Sequence, residues 1–395
     1  MTPTESASSW LRDQIHVQAD GLSGHLESPK CRSARSPSTR WQRAPARDRL
    51  PESDGQGMNE TVSTRWSAEK AWDWSRRLPW LCGFNYLPST AVNSTEMWQS
   101  ETFDPDTIKR ELGWAQQIGL NCCRIFVQAL VWDADPDGPA NRLDQFMGIA
   151  QAHGMTTLPI LFDDCAFAGR EPSLGPQAAP VLGIHNSGWT PSPGPAQADD
   201  PAAWPHLREY VTGILSYFGQ DERVLGWDLY NEPGNEGRGA RSLPLLRAAF
   251  EWARQVNPAQ PLISGVWCWD EDRREINDFI LAAPDVLTFH EYAGADRLGQ
   301  TIARLREGAR PVLCTEWMSR TLESRFETHL PLFKREKVGC FFWGLVNGRT
   351  QTHFPWGSAE GAPPPSLWFH DLLDGRGRPY REEEITLIQQ VIQAE

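Results

Sequence analysis

Two carboxylates stand where apolar runs stop. Asn231-Glu232-Pro233 closes the run VLGWDLY, and Thr315-Glu316-Trp317 closes PVLC. A carboxylate ending a strand-like apolar run is costly to bury unless it is paired or used. A proton-donating carboxylic acid set against an attacking carboxylate is what cleavage of a glycosidic bond requires. Glu232 and Glu316 are therefore the catalytic candidates. The alternative is that each belongs to an unrelated structural ion pair. Glu291, in FHEYAG, is a competing carboxylate.

For two such groups to meet, their strands must converge. Apolar, strand-like runs occur at residues 80–87, 121–130, 156–162, 224–230, 261–267, 286–290, 311–317 and 339–346. Amphipathic stretches of helical spacing lie between several of them, at 104–120, 143–155, 204–218, 243–256 and 324–338. Strand–helix alternation implies parallel strands, because each crossover needs a dozen or more residues. The expected fold is α/β, a (β/α)8 TIM barrel with a long loop after strand 3, from Asp164 to Pro201. Active sites of this barrel form at the carboxyl ends of the strands, where the fourth and seventh would carry Glu232 and Glu316. A doubly wound open sheet is the rival architecture. It would favour a Gly-rich phosphate turn after the first strand, and GFNYLPST is not one.

With strand number and residue type combined, the chain resembles glycoside hydrolase clan A, and within it the cellulase-like family 5. The motifs are WDLYNEP at the fourth strand and LCTEW at the seventh. The resemblance covers the barrel and implies a glycosidase that hydrolyses O-glycosyl bonds with retention. Glu232 would be acid/base and Glu316 nucleophile. It also implies that Arg124 hydrogen-bonds the nucleophile and that Asn231 holds the sugar 2-hydroxyl. In His290-x-Tyr292, Tyr292 would support the nucleophile and His290 would lie near the acid/base. Trp343 would floor the subsite where cleavage occurs. Trp267, Trp269 and Trp356 are expected near the cleft, with core packing the alternative for each. Asp163 and Asp164 end the third strand and are candidates for sugar hydroxyls. The mechanism requires a raised pKa at Glu232, with Glu316 kept ionised beside Arg124. Phe162-Asp163-Asp164 replaces a third-strand His found in many family 5 glucanases, and Tyr230 stands where a small or polar residue is common. Both departures are expected beside the reactive subsite and bear on sugar specificity. A transglycosylase using the same pair and a non-catalytic carbohydrate-binding barrel are the other functions considered. No metal or cofactor is called for.

Composition narrows the partners. A net charge of −13 over 395 residues repels phosphates, which argues against nucleic acid and anionic membranes and for an uncharged carbohydrate substrate. The 19 Trp residues suit a protein that lays aromatic faces against sugar rings. Cys82, Cys122, Cys123, Cys314 and Cys340 lie in or beside strand-like runs and read as small buried hydrophobes. Histidines other than His290 are expected at the surface. Residues 1–57 are rich in Ser, Pro and Arg and lack an apolar period, so they read as a disordered tail or a mis-assigned start. Residues 58–395 then form the catalytic domain. The absence of a secretory pattern at the start points to the cytoplasm. Oligomeric state is left open by the sequence.

Overall fold

The computed structural model describes residues 64–135, 137–167 and 169–394. The tail reading of residues 1–57, and the first residues of the proposed domain, lie outside the described residues. Nine parallel strand segments form one sheet: β1 (Cys82–Tyr86), β2 (Cys122–Phe126), β3 (Thr156–Asp163), β4 (Trp227–Asn231), β5 (Leu262–Ile263), β6 (Gly265–Val266), β7 (Leu287–His290), β8 (Val312–Trp317) and β9 (Gly339–Phe342). The sheet runs β5-β4-β3-β2-β1-β9-β8-β7-β6. Its two ends, β5 and β6, are halves of a single run interrupted at Ser264, whose hydroxyl turns aside to the carbonyl of Tyr230 at 2.8 Å. The chain itself therefore closes the ring, and the architecture is a TIM barrel of eight strand positions. All eight apolar runs form strands. The strands are buried almost throughout, which suits parallel strands covered on both faces.

The helices Trp204–Phe218 and Leu243–Val256 coincide with their apolar periodicities. Helix Pro105–Ile118 begins at the Asp104 cap, whose carboxylate accepts from Thr107 N, and stops at left-handed Gly119. The helix expected from residue 143 begins earlier, at Asp137. Its first turn contains Gly138 and Pro139, which mask the helical pattern in sequence. The lower barrel is filled by Leu81, Cys122, Leu158, Leu225, Ile263, Val286, Leu313 and Phe341. Cys82, Cys123, Cys314 and Cys340 are likewise buried in the strands. No helix among the described residues is long and apolar enough to cross a membrane.

The long loop after β3 is packed. Residues 185–194 are all buried. His185 is buried there beside His370, with ring centroids 5.3 Å apart, and His329 stacks on Trp317. This corrects the surface expectation for those three histidines. Each packs among aromatic rings, and burial holds the ring neutral, pushing His185 down to about 4.

Candidate active site

β4 and β8 bring Glu232 and Glu316 to the same end of the barrel. Glu316 follows a stretch where the β8 register shifts on both sides, between Phe289 and His290 against β7 and between Cys314 and Trp317 against β9. Such irregularities re-aim a side chain at a strand end. Glu232 adopts φ 43°, a left-handed conformation uncommon outside glycine, immediately after β4 ends. Strain of this kind persists only where surrounding contacts hold it. Here they are His290 Nδ1 at 2.7 Å from Glu232 Oε1, Asn235 Nδ2 at 2.6 Å and Cys165 Sγ at 3.2 Å, both from Oε2. The His290 nitrogen also lies 3.5 Å from Glu316 Oε2. Glu232, His290 and Glu316 each offer a ligand-type atom within 4.8 Å of the other two, so they are the described residues best placed to hold a cation.

Glu316 accepts from Arg124 Nη1 at 2.8 Å and from the Tyr292 hydroxyl at 2.9 Å. Arg124 is 1% exposed and fully engaged: Nε and Nη2 donate to Asp228 at 3.0 and 2.7 Å, Nη1 to Asn85 Oδ1 at 2.8 Å, and Nη2 to Asn231 Oδ1 at 2.6 Å. Burial disfavours the guanidinium charge, but Asp228 and Glu316 more than offset it and hold the group above its ordinary value. Burial, with Glu316 alongside, pushes the Tyr292 hydroxyl well above its usual range, so it stays a donor.

Glu232 departs from expectation. Burial raises its pKa, yet the hydrogen bond and charge of His290, with the Cys165 thiol and Arg124 behind them, outweigh burial. The carboxyl sits below its ordinary value. Sequence reasoning had the burial and lacked the donors.

Asp163 lies beneath the site, 3% exposed. Its oxygens accept from Asn231 Nδ2, the Cys165 backbone and Trp189 Nε1, at 2.9, 3.0 and 2.8 Å. Burial nevertheless pushes it up to about 7. Asn231 thus spends its oxygen on Arg124 and an amide hydrogen on Asp163. Asp164 is turned into the protein, bonded to Tyr230, Ser242, Gly234 N and Arg238. Phe162 and Tyr230 are fully buried and pack on each other, and Phe162 also lies near Tyr210 of helix Trp204–Phe218. Those two rings therefore do not line the reactive subsite, which corrects the sequence expectation. Glu291 is also absent from the cluster. It accepts from Ala293 N and from the hydroxyl of Thr301, within helix Ala295–Arg306.

Aromatic rings frame the cluster. Trp343, just past β9, is 8% exposed and stacks near Phe126 at 5.9 Å, with Trp189 edge-on at 6.0 Å. Trp267 donates to the Pro233 carbonyl at 3.1 Å and carries Arg273 on its ring. Trp269 lies under Arg304, while Trp356 packs on Tyr292 and His185. Four participants escaped sequence reasoning: Asn85, Asp228, Cys165 and Asn235. Asp228 had a signal, since a carboxylate inside WDLY needs a buried cation and Arg124 is a cation inside another of the apolar runs. Cys165 and Asn235 had none, because loop folding alone brings them to Glu232.

Residues 177–348, which contain both glutamates, match the family model for cellulase (glycosyl hydrolase family 5). No curated protein matches the chain. Among solved structures, the chain is similar to a GH5_18 protein of Streptomyces cattleya in complex with Manβ1-4GlcNAc, at 14% identity, 80% of each chain and TM-score 0.56. It is also similar to the endo-β-1,4-mannanase of Thermotoga petrophila, at 15% identity, 80% of this chain, 76% of that one and TM-score 0.52. An exo-β-1,4-mannosidase from Opitutaceae bacterium strain TAV5 matches at 18% identity, 86% of this chain, 63% of that one and TM-score 0.55. Paired strand-end carboxylates, the barrel and the family match lead to one conclusion: the chain is a glycosidase whose residues 177–348 are similar to the cellulase-like glycoside hydrolase family 5.

Proposed function

We propose that the protein is a retaining β-glycosidase in which Glu316 is the nucleophile and Glu232 the acid/base. The observation that carries this reading is the spacing of the cluster, in which carboxylate oxygens of Glu232 and Glu316 lie within 4.8 Å. Retaining enzymes hold their carboxyl groups about 5–5.5 Å apart, whereas inverting ones need roughly 6.5–9.5 Å to admit a water between them. The roles divide by environment. Glu316, fixed by Arg124 and Tyr292, presents a carboxylate to the anomeric carbon. Glu232, the more exposed of the two, is hydrogen-bonded to a group that can pass it a proton.

Glu316 attacks the anomeric carbon, the bond to the leaving oxygen breaks, and Glu232 places its proton on that oxygen. His290 Nδ1 lies 2.7 Å from Glu232 Oε1, so the pair as a unit supplies the acid. Glu232 then takes a proton from water, which attacks the glycosyl–Glu316 ester and releases the sugar with its β configuration. The substrate class we infer is β-linked oligo- or polysaccharide of glucan or mannan type. β-Mannosides rank first because the similar solved structures carry mannanase, mannosidase and Manβ1-4GlcNAc in their descriptions. Transfer to a sugar acceptor instead of water uses the same two glutamates.

The test is chemical rescue. On an aryl β-glycoside with an activated leaving group, Glu316→Gln loses nearly all turnover. Glu232→Gln still glycosylates and then stalls, and azide restores its turnover with a β-glycosyl azide as product. Formation of the α-azide by Glu316→Gln, with Glu232→Gln inert, reverses the assignment.

A further inference from the structure

We propose that the site works from the non-reducing end of a β-linked chain, admitting a single sugar on the Trp343 side of the bond it cleaves. This deepens the preceding reading and rests on its assignment of Glu232 and Glu316. The two glutamates, on β4 and β8, divide the barrel rim into two arcs of unequal closure.

The arc spanning β9, β1, β2 and β3 is walled. Three loops meet above it, following β1, β3 and β9, and they are joined by backbone and buried side chains. Asn186 N donates to the Thr350 carbonyl at 2.8 Å, and Gly361 N to Leu182 at 2.7 Å. Gln351 Nε2 reaches the Val181 carbonyl at 2.7 Å, while its oxygen accepts from Gly183 N at 3.1 Å. Asn93 Nδ2 reaches the Gly188 carbonyl at 2.9 Å, and Arg349 pairs with Glu96. Inside the wall, Trp189 is 2% exposed, tied to Asp163 at 2.8 Å, and sits edge-on to Phe126 at 4.8 Å. Phe126 in turn lies 5.5 Å from the guanidinium of Arg124, which holds the nucleophile. The space beyond the attacked sugar is therefore occupied by loops bonded to one another, and a chain has nowhere to continue.

The other arc is open. Glu232 is 12% exposed at its side chain, against 6% for Glu316. Partly exposed Asn235 bonds Glu232 directly, and partly exposed Trp267 donates to the carbonyl of Pro233, the next residue. An acid/base must face the departing oxygen, so the leaving chain extends through this opening while the attacked sugar sits over Glu316. That polarity makes the attacked sugar the terminal, non-reducing one.

The experiment uses the full chain and β-1,4-mannopentaose and cellopentaose labelled at the reducing end, with products followed by mass at early times. The sugar series is the one whose aryl β-glycoside the wild type hydrolyses and Glu316→Gln does not. Failure of that aryl assay sinks the hydrolase assignment itself. The expected result is free monosaccharide with labelled tetraose as the first labelled product. The same pentaose with the terminal 4- and 6-hydroxyls tied as a benzylidene acetal stays intact. Labelled di- or trisaccharide among the first products, release of the labelled sugar first, or cleavage of the blocked pentaose overturns the proposal.

Discussion

At the scale of single residues, the site is organised by donors whose targets the sequence does not reveal. Arg124 holds four oxygen-bearing partners on one buried guanidinium, and that arrangement orients Glu316, Asn231 and Asp228 together. His290 does the complementary task for Glu232. Because His290 is the main influence offsetting burial at that carboxyl, its removal lets burial dominate and Glu232 rises. A general acid with a higher pKa stays protonated further into alkali. His290→Asn therefore moves the alkaline limb of kcat/KM upward in pH on a disaccharide substrate, while kcat falls through loss of positioning. A profile whose alkaline limb stays in place, or moves down, would show that His290 does not tune Glu232. The disaccharide matters, because an activated aryl leaving group hardly needs the acid.

At the scale of elements, the strands are ordinary parallel-barrel strands and the distinctive construction is in the loops. Two glycines permit the clasp over the closed arc. A Cβ on Gly183 would meet Ala362 N at 2.7 Å and Ala359 O at 2.9 Å; one on Gly348 would meet Ser89 Cα at 2.5 Å and Ser89 O at 2.6 Å. Both clashes are with backbone, which cannot swing away. Gly348→Ala should destabilise the protein by about 1–3 kcal/mol, the usual cost of overpacking. Urea denaturation would measure this, and an unchanged midpoint would mean the β1 and β9 loops part freely. The same variant reports on the wall, since any loosening between these loops appears as internal cleavage products from the labelled pentaose.

At the scale of the whole molecule, the outer helical ring is completed by the last helix, Glu382–Gln393. It packs between the helices Phe326–Arg335 and Pro105–Ile118, with Lys334 Nζ donating to the Ile392 carbonyl and Gln389 to that of Gln117. Its anchor is Glu384, which grips Arg320 through two hydrogen bonds of 2.8 and 2.7 Å. Arg320 is 1% exposed and also donates to the carbonyls of Trp368, His370 and Asp371, on the segment that follows the clasp. Removing one partner of a buried pair strands the other charge, at a cost of about 3–5 kcal/mol. Glu384→Ala should lose stability on that order by urea denaturation, and Glu384→Gln, which keeps one acceptor, should lose less. A loss below about 1 kcal/mol would place the pair among solvent-screened ones.

The sequence alone determined the barrel, because eight apolar runs separated by helical spacing leave few other ways to bury parallel strands. It also marked Glu232 and Glu316, since carboxylates at the ends of apolar strands stand out against their background, whereas Arg124, His290 and Tyr292 came from the resemblance to family 5. Only the tertiary structure decided what surrounds them. The lowered Glu232, the engaged oxygens of Asp163 and the inward turn of Asp164 depend on donors from loops and neighbouring strands, distant in the chain. The burial of His185 and the closure of one arc depend on a Gly- and Pro-rich loop that has no period to read. Strand order follows from local pattern, whereas the partner of a buried polar atom is a matter of where remote segments meet.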